Sequence, residues 1–263
     1  MRFKRTYLII ILIIIVLILS GVFRTDDKEV YVTHVIDGDT VVLSDGSKIR
    51  YIGINTPETR KRIGDTWLYD PKPYSEEAKL FNESLVGGKK VNLEFDVEKK
   101  DKYGRTLAYL YVDGKMVNIE MIKNGFSIAY PYPPNDRYIN DLLEAEGSAR
   151  DNKLGIWGDI LKEVITPSEA KDHIGLIKTV EAGIVDTYLS EDVLILKCTD
   201  GFNIVIFKDN FKYFPAGVCR MPDNYFKDRL IRVYGLIKEY KGGLEIIMYH
   251  PNQMKFIERV ISG

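Results

Sequence analysis

Short β-type segments bounded by turn signals recur along this chain and constrain its fold more than any other feature. Five of them, rich in Val, Ile, Thr and Tyr, fall in the first half: residues 31–36, 40–43, 48–54, 91–96 and 106–112. Asp45-Gly46 separates the second from the third, and Asp113-Gly114 follows the fifth, as expected of tight turns. Five short strands with a helical segment between the third and fourth favour a small closed barrel in a mainly β protein that also contains helices.

Three helices are predicted in the same half of the chain. The first covers residues 74–86, where Ser75 is a candidate cap and Glu76 and Glu77 suit the positive end of the helix dipole. The others cover residues 117–123 and 137–153. These elements define a first domain at residues 28–162.

A second β-rich unit follows a linker predicted at residues 163–174, which contains Thr166-Pro167-Ser168. Its predicted strands are residues 177–186, 193–198, 202–207, 230–238 and 244–249, with an irregular segment at 211–228. Five strands again predict a barrel, here at residues 175–260.

The N-terminus has the pattern of a membrane signal. Arg2, Lys4 and Arg5 precede an unbroken apolar run at residues 7–19, and residues 21–23 nearly extend it. A run of this length lies between a signal-peptide core and a full span, so an uncleaved transmembrane anchor and a cleaved signal both stay open for residues 1–23. The basic flank predicts a cytoplasmic N-terminus and an extracytoplasmic or secreted remainder, with membrane contact through residues 7–23.

The charge and the cysteine content bear on phosphate binding, disulfide formation and zinc binding. With 37 basic and 38 acidic side chains the net charge is -1, so phosphate binding would need local clusters of cations. The two cysteines, Cys198 and Cys219, could pair outside the cytoplasm or remain as buried thiols. No CxxC occurs and the three His are scattered, so no zinc site is expected.

Several polar residues have the chemistry that phosphodiester cleavage needs. Asp37 and Asp39 flank Gly38, and Asn55-Thr56 follows another strand; their oxygens suit a hard cation, although Asp-Gly-Asp alone is more often a turn.

Charged and aromatic residues supply the rest. Arg50 and Arg105 could hold phosphate oxygens, although each alone is more often part of a structural salt bridge. Glu58 could activate a water, and the alternative is a solvated glutamate on a loop. Candidates for substrate contact are Lys102, Tyr103, Tyr130 and Tyr132, with ordinary packing as the alternative for the tyrosines.

Residues from about 30 to 160 resemble the staphylococcal-nuclease (thermonuclease) family. The matching motifs are Ile36-Asp37-Gly38-Asp39-Thr40, Thr56-Pro57-Glu58-Thr59, Asp101-Lys102-Tyr103-Gly104-Arg105-Thr106-Leu107-Ala108-Tyr109, Gly114-Lys115-Met116-Val117-Asn118, Ala129-Tyr130-Pro131-Tyr132 and Leu154-Gly155-Ile156-Trp157. The resemblance implies an OB-fold barrel that hydrolyses DNA and RNA with calcium and leaves 3′-phosphates.

The resemblance also implies a role for each matching residue. Metal binding falls to Asp39, Asn55 and the Thr56 carbonyl, phosphate binding to Arg50 and Arg105, water activation to Glu58, and the nucleotide pocket to Lys102, Tyr103 and Tyr132. One position departs from the family, which usually has a second aspartate where Asn55 stands. Because ligand charge tunes calcium affinity, we expect weaker calcium binding rather than loss of activity.

The tail from about residue 175 to 258 resembles OB-fold nucleic-acid-binding domains. The motifs are Val233-Tyr234-Gly235, Glu239-Tyr240-Lys241-Gly242-Gly243, Ile246-Ile247 and Pro251-Asn252-Gln253-Met254. Candidates for base stacking are Phe202, Phe207 and Tyr240, with core packing as the alternative. Residues 174–263 carry 12 basic and 11 acidic groups, a weak balance for a phosphate binder.

Three functions follow from this sequence. The first is a calcium-dependent nuclease acting on DNA and/or RNA, preferably single-stranded, at or outside the membrane. The second is a catalytically impaired nucleic-acid-binding surface protein, in which Asn55 marks a decayed metal site. The third is a surface interaction module that binds no nucleic acid. Glu58 favours the enzyme, because a protein that only binds has no need of a base at this position.

Overall fold

The computed structural model describes residues 30–257. The predicted anchor or signal at residues 1–23, including the apolar run at residues 7–19, lies outside the described residues and stays a prediction. Within residues 30–257, none of the helices combines the length and the apolar character that crossing a bilayer requires.

Ten strands and four helices make up residues 30–160. The strands are β1 (Val30–Val35), β2 (Thr40–Leu43), β3 (Lys48–Tyr51), β4 (Ile54–Asn55), β5 (Arg60–Ile63), β6 (Thr66–Tyr69), β7 (Lys90–Glu94), β8 (Thr106–Val112), β9 (Lys115–Met116) and β10 (Ile128–Ala129). The helices are α1 (Ser75–Val86), α2 (Val117–Lys123), α3 (Ile139–Asp151) and α4 (Ile156–Ile160).

Five of these strands close into a barrel in the order β1-β2-β3-β8-β7, with β7 returning to β1. The pairs β1–β2, β2–β3 and β7–β8 are antiparallel, whereas β3 and β8 run parallel with Arg50 opposite Leu107. Alternate apolar side chains such as Val41, Ile49 and Leu110 fill the interior and are buried. The predicted closed barrel, with a helix between its third and fourth strands, is therefore confirmed.

Two local predictions in this half were wrong. Ser75 does not cap α1: Tyr74 occupies the cap with a positive φ of 67°, no side chain bonds there, and the Ser75 hydroxyl is buried without a partner. Residues 60–69, for which no element was predicted, form the antiparallel hairpin β5–β6. Its side chains are exposed, so no period-2 burial pattern marks it in the sequence.

The remaining described chain forms a second sheet. Its strands are β11 (Val164–Ile165), β12 (Ile177–Leu189), β13 (Val193–Cys198), β14 (Asn203–Phe207), β15 (Leu230–Tyr240), β16 (Gly243–Ile247) and β17 (Met254–Ile257). One α-helix, α5 (Pro222–Phe226), and 3₁₀ helices at Pro167–His173, Thr199–Gly201, Lys208–Tyr213 and Pro251–Gln253 complete it.

This sheet also closes, in the order β12-β13-β14-β16-β15, with β15 returning to β12. Its one parallel contact within the ring joins β14 to β16, the third and fifth strands, as β3 and β8 are joined in the first barrel. Phe202 is 1% exposed in the core, so the stacking prediction was wrong for this residue. Phe207 and Tyr240 are exposed.

Residues 163–174 contain regular structure rather than a loose connection. Strand β11 pairs in parallel with β12, and the 3₁₀ helix Pro167–His173 begins with a capping box between Thr166 and Glu169. Ala170 in this helix is fully buried in the core of the second barrel. The segment predicted as a linker therefore packs with the second barrel.

Buried polar contacts join the two barrels. The Tyr234 hydroxyl of β15 donates to the Glu146 carboxylate of α3 at 2.9 Å, and the Tyr234 ring packs edge-on against Trp157 at 5.0 Å. The Tyr249 hydroxyl donates to the Tyr130 hydroxyl at 2.7 Å, with ring centroids 4.3 Å apart. These contacts hold the second barrel against the helices and loops of the first.

Candidate active site

A cavity of about 400 Å³ opens at one side of the first barrel. Eight of the ten predicted site residues line it: Arg50, Asn55, Glu58, Lys102, Tyr103, Arg105, Tyr130 and Tyr132. The other two, Asp39 and Thr56, are buried and bonded to each other, and Asp39 also contacts Arg50. The fold therefore brings the predicted residues together.

Asp39 is held by a tight turn before β2. The Asp37 carboxylate accepts a hydrogen bond from the Asp39 amide at 3.0 Å, and Gly38 lies so close to Thr56 that a Cβ would approach its Cγ2 to 2.7 Å. The Asp39 carboxylate in turn accepts from the Thr56 amide and hydroxyl at 3.0 Å each and from the Thr40 hydroxyl at 3.1 Å. This network connects the turn before β2 to the loop after β4.

A buried asparagine of α1 holds the same turn from behind. Asn82 donates from Nδ2 to the Asp37 carbonyl at 3.0 Å and accepts the Tyr51 hydroxyl at 3.0 Å. Asn82 was not predicted as a site residue. A polar residue on the inner face of an otherwise amphipathic helix is the signal that could have identified it.

Arg50 is immobilised from three sides. Its Nε lies 3.1 Å from the Asp39 carboxylate, Nη1 donates to the Tyr51 carbonyl at 2.5 Å, and Nη2 donates to Asn55 Oδ1 at 3.4 Å. Only 14% of its side chain is exposed, on the cavity side of β3. A guanidinium held in this way is pre-oriented for phosphate oxygens.

Glu58 reaches the mouth of the cavity from the loop after β4 and is exposed to solvent. The surrounding protein nevertheless desolvates its carboxyl and raises its pKa, and the charge of Asp39 raises it further, whereas Arg50 and Arg105 lower it. Asp37 is affected more strongly: burial, and then repulsion by Asp39 and Glu58, raise its pKa to about 7. Three carboxylates therefore act on one another at this site, with Arg50 and Arg105 as the counter-charges.

Arg105 is oriented by Asp101, four residues earlier. The Asp101 carboxylate accepts from the Arg105 amide at 3.0 Å and from its Nε at 2.7 Å, as well as from the Tyr103 amide at 2.9 Å. Gly104 has a positive φ of 80°, which this turn requires. The turn places the Arg105 guanidinium 5.7 Å and the Lys102 ammonium 5.1 Å from the exposed Tyr103 ring.

Tyr130 and Tyr132 form the aromatic wall of the cavity. A further lining residue was not predicted from the sequence. Tyr132 is 46% exposed, and Tyr130 is tied to Tyr249 of the second barrel as described above. Lys238, on β15, also lines the cavity. No local pattern in the sequence marks Lys238, because only the docking of the second barrel brings it here.

The oxygen atoms around Asp39 suit a hard cation. Within residues 30–257, no group of three or more His, Cys, Asp and Glu side chains is arranged to hold a metal ion. Any ion here would therefore rely on few carboxylates together with neutral oxygens. Burial, and then repulsion by Asp39 and Glu58, raises the pKa of Asp37, and a dication would relieve the repulsive part. Carboxylate, amide and carbonyl oxygens are calcium-type ligands, so the residues fit.

Comparisons with known proteins identify a family model and several relatives of this chain. The staphylococcal nuclease homologue family model matches residues 48–159, ending before β11. The chain is 37% identical over 163 residues to the thermonuclease of Staphylococcus intermedius, which covers 57% of this chain and 94% of that protein.

Two relatives from Bacillus subtilis (strain 168) match as well. Endonuclease YncB is 43% identical over 141 residues, covering 51% of this chain and 64% of that protein. The SPbeta prophage-derived endonuclease YokF is 40% identical over 134 residues, covering 49% of this chain and 44% of that protein. The chain thus spans less than two thirds of either of these two relatives.

Proposed function

Because this chain belongs to the staphylococcal nuclease family, we propose that it is a nuclease that hydrolyses phosphodiester bonds in DNA and/or RNA. The observation that carries the proposal is the convergence of Arg50, Glu58 and Arg105 on one cavity, with Asp39 bonded beneath them. Two oriented guanidiniums and one carboxylate are the groups that in-line attack of water on a phosphodiester requires.

The chemistry divides between these side chains. Arg50 and Arg105 bind the non-bridging oxygens and stabilise the negative charge that develops on them. Glu58 accepts a proton from the attacking water, whose oxygen bonds to phosphorus while the bond from phosphorus to the 5′ oxygen breaks. The 5′ oxygen leaves with a proton taken up from solvent, and Glu58 afterwards releases its proton to solvent, so the products are a 3′-phosphate and a 5′-hydroxyl. A base must be ionised, so we expect cleavage to fall as pH drops through the raised pKa of Glu58.

Calcium is the proposed cofactor. Asp39, Asn55 and the Thr56 carbonyl would hold it, and when bound it would supply positive charge to the phosphate and to the attacking water. Asp39 already accepts four contacts, from Thr40, Arg50 and Thr56, so it is well oriented but heavily engaged.

We propose that the substrate strand lies along the aromatic wall of Tyr130 and Tyr132 and along the exposed ring of Tyr103. Lys102 provides a cation, and Tyr103, Tyr130 and Tyr132 provide faces on which bases can stack. A single strand fits this arrangement better than a duplex, because its bases are free to leave one another and stack on the protein. The second barrel is proposed as an OB-type module that holds more of the strand, with exposed Phe207 and Tyr240 as contacts.

The location is also a proposal. The basic residues before the apolar run at residues 7–19 support an anchor or signal that sends the barrels outside the membrane. Protease added to intact cells should degrade the barrels if the chain is anchored with this orientation. Degradation only after lysis would place them in the cytoplasm.

One experiment tests the enzyme against the impaired binding protein. The full chain in detergent is incubated with single-stranded DNA, with calcium or a chelator, beside Glu58→Gln and Arg105→Gln. Glu191→Gln and Arg220→Gln change the same residue types at exposed positions of the second barrel and serve as matched controls. Calcium-dependent cleavage by the parent and both controls, lost in the two site variants, supports the proposal. Tight binding by a parent that never cleaves supports the binding protein.

A further inference from the structure

Lys238 connects the second barrel to the cavity of the first. Among the described residues that line this cavity, it is the one contributed by the second barrel. It also lines a small pocket between the barrels, together with Asn55, Tyr130 and Tyr249. The side chain therefore lies where the aromatic wall of the nuclease site meets the second barrel.

The position of Lys238 is set by rigid structure. It pairs across strands with Glu245 in an antiparallel ladder between β15 and β16. Three residues earlier, Gly235 packs so tightly that a Cβ would come 2.5 Å from the Ile246 side chain. The contacts of Tyr234 with Glu146 and of Tyr249 with Tyr130 then hold these strands against the first barrel.

The charges around Lys238 leave its ammonium group available to bind an anionic ligand. Glu245 attracts it and Lys102 of the first barrel repels it. Within residues 30–257 the ammonium makes no hydrogen bond or ion pair with another side chain, although Lys238 is half-buried. Two lysines from different barrels therefore face one cavity, and a polyanion between them would turn their repulsion into attraction.

We propose that Lys238 binds a phosphate of the substrate strand next to the one that is cleaved, so that both barrels together form the substrate-binding site. This inference rests on the proposed nuclease function. The stacking faces of Tyr130 and Tyr132 lie in the same cavity, so the ligand is a nucleotide unit with its base on an aromatic ring and its phosphate near Lys238. Lys238 is a positioning residue and takes no part in the bond-breaking step.

The test compares Lys238→Ala with Lys238→Arg and with Lys255→Ala, all in the full chain. Lys255 is exposed on β17 of the same barrel and lines none of the cavities described here, so it controls for the loss of one charge. Cleavage of a single-stranded oligonucleotide is measured over a range of salt concentrations. We expect Lys238→Ala to raise KM roughly tenfold with little change in kcat, and to reduce the slope of log KM against log salt by about 0.7, the value for one phosphate on a single strand.

The controls separate binding from a structural role. Lys238→Arg should retain the parent salt slope, and Lys255→Ala should match the parent. If Lys238 only balances Glu245, the double variant Lys238→Ala/Glu245→Gln would recover the parent KM, which would overturn the proposal. An unchanged KM and slope in Lys238→Ala would overturn it as well.

A binding measurement distinguishes failure of this inference from failure of the proposed function. Fluorescence anisotropy of a labelled oligonucleotide is followed with Glu58→Gln and with Glu58→Gln/Lys238→Ala, neither of which needs to cleave. A smaller salt slope in the double variant supports the inference even if the parent is not a nuclease. If the two slopes are equal and the parent does cleave, the result rejects the proposed role of Lys238 but leaves the nuclease function intact.

Discussion

Tyr234 and Glu146 form a buried hydrogen bond that crosses from one barrel to the other. Glu146 is 2% exposed and accepts from the Tyr234 hydroxyl and from the Ala129 amide, at 2.9 Å each. Burial raises the pKa of the Glu146 carboxyl to about 7, although these two donors and Arg150 oppose the shift. The junction between the barrels therefore contains a group that titrates near neutral pH.

The first prediction concerns the pH dependence of stability. Because the folded-state pKa of Glu146 lies above its ordinary 4.5, the folded protein holds a proton that the unfolded chain releases. Its contribution to stability is therefore present at low pH and is lost as pH rises from about 4.5 through about 7. Glu146→Gln should remove this loss, which amounts to at most about 1.4 kcal/mol per pH unit in that window.

Urea unfolding between about pH 5 and pH 8 measures the effect. Glu144→Gln, at an exposed position of the same helix, is the matched control and should retain the parent slope. Identical slopes for all three proteins would show that Glu146 is ionised throughout this range.

The second prediction concerns Asp101, which contacts Arg105 but does not bind phosphate in the proposed mechanism. Asp101→Asn keeps an oxygen for the turn but removes the charge that orients the Arg105 guanidinium. We expect kcat to fall on the order of tenfold to hundredfold with a smaller change in KM, because misplacement of a catalytic group acts mainly on the transition state. Steady-state kinetics measure both constants, and a loss confined to KM would contradict this account.

The third prediction concerns Asn55, whose Oδ1 lies 3.4 Å from Arg50 Nη2. Asn55→Asp restores one negative charge among the proposed calcium ligands, and we expect half-maximal activity at a calcium concentration roughly tenfold lower. A calcium titration of cleavage by the parent and the variant provides the measurement. An unchanged titration midpoint would show that this residue does not tune the metal.

The fourth prediction concerns two glycines at a backbone crossing. A Cβ on Gly125 would come 2.2 Å from the Leu154 carbonyl oxygen, and one on Gly155 would come 2.2 Å from the Gly125 carbonyl oxygen. Both also have positive φ. Alanine at either position should cost more than about 2 kcal/mol of unfolding free energy.

Gly147 in α3 provides the control for this prediction. A Cβ there meets nothing within 4 Å, so Gly147→Ala should leave stability unchanged or raise it by up to about 1 kcal/mol. Thermal unfolding of the three variants gives the comparison. Equal stability of the parent and Gly125→Ala would refute the crossing as a constraint.

The fifth prediction concerns the two thiols. Cys198 and Cys219 are both free, so the pairing that the sequence left open is not formed. Burial raises the pKa of Cys198 to about 12 and also raises that of Cys219, which is only half-buried. A thiol-labelling reagent should modify Cys219 slowly in the folded protein and Cys198 only after unfolding. Prompt labelling of both would contradict the burial of Cys198.

The first barrel was predictable because its signals are local. Its five strands are short segments rich in Val, Ile, Thr and Tyr, and Asp-Gly pairs mark the turn after β2 and the turn after β8. The convergence of Arg50, Glu58 and Arg105 could be predicted for a different reason. Their motifs resemble those of a known family, and no periodicity in the sequence would have brought together residues so far apart along the chain.

The remaining features depend on tertiary contacts. The prediction that Ser75 caps α1 was wrong because Tyr74 occupies the cap position with a positive φ. The preference of Ser for cap positions does not reveal this conformation. The hairpin β5–β6 has no buried face from which to predict it. Lys238 was missed because it lies more than a hundred residues from the rest of the cavity and reaches it only through the packing of whole barrels.

The closed ring of the second barrel has a consequence for the order of events during synthesis. That ring includes β16 between β14 and β15, so it cannot close until β16 has left the ribosome, whereas all five strands of the first barrel are available once β8 has emerged. A nascent chain can therefore carry Arg50, Glu58 and Arg105 in place before the wall containing Lys238 exists. The catalytic groups of the nascent protein would therefore be assembled before its substrate-binding site is complete.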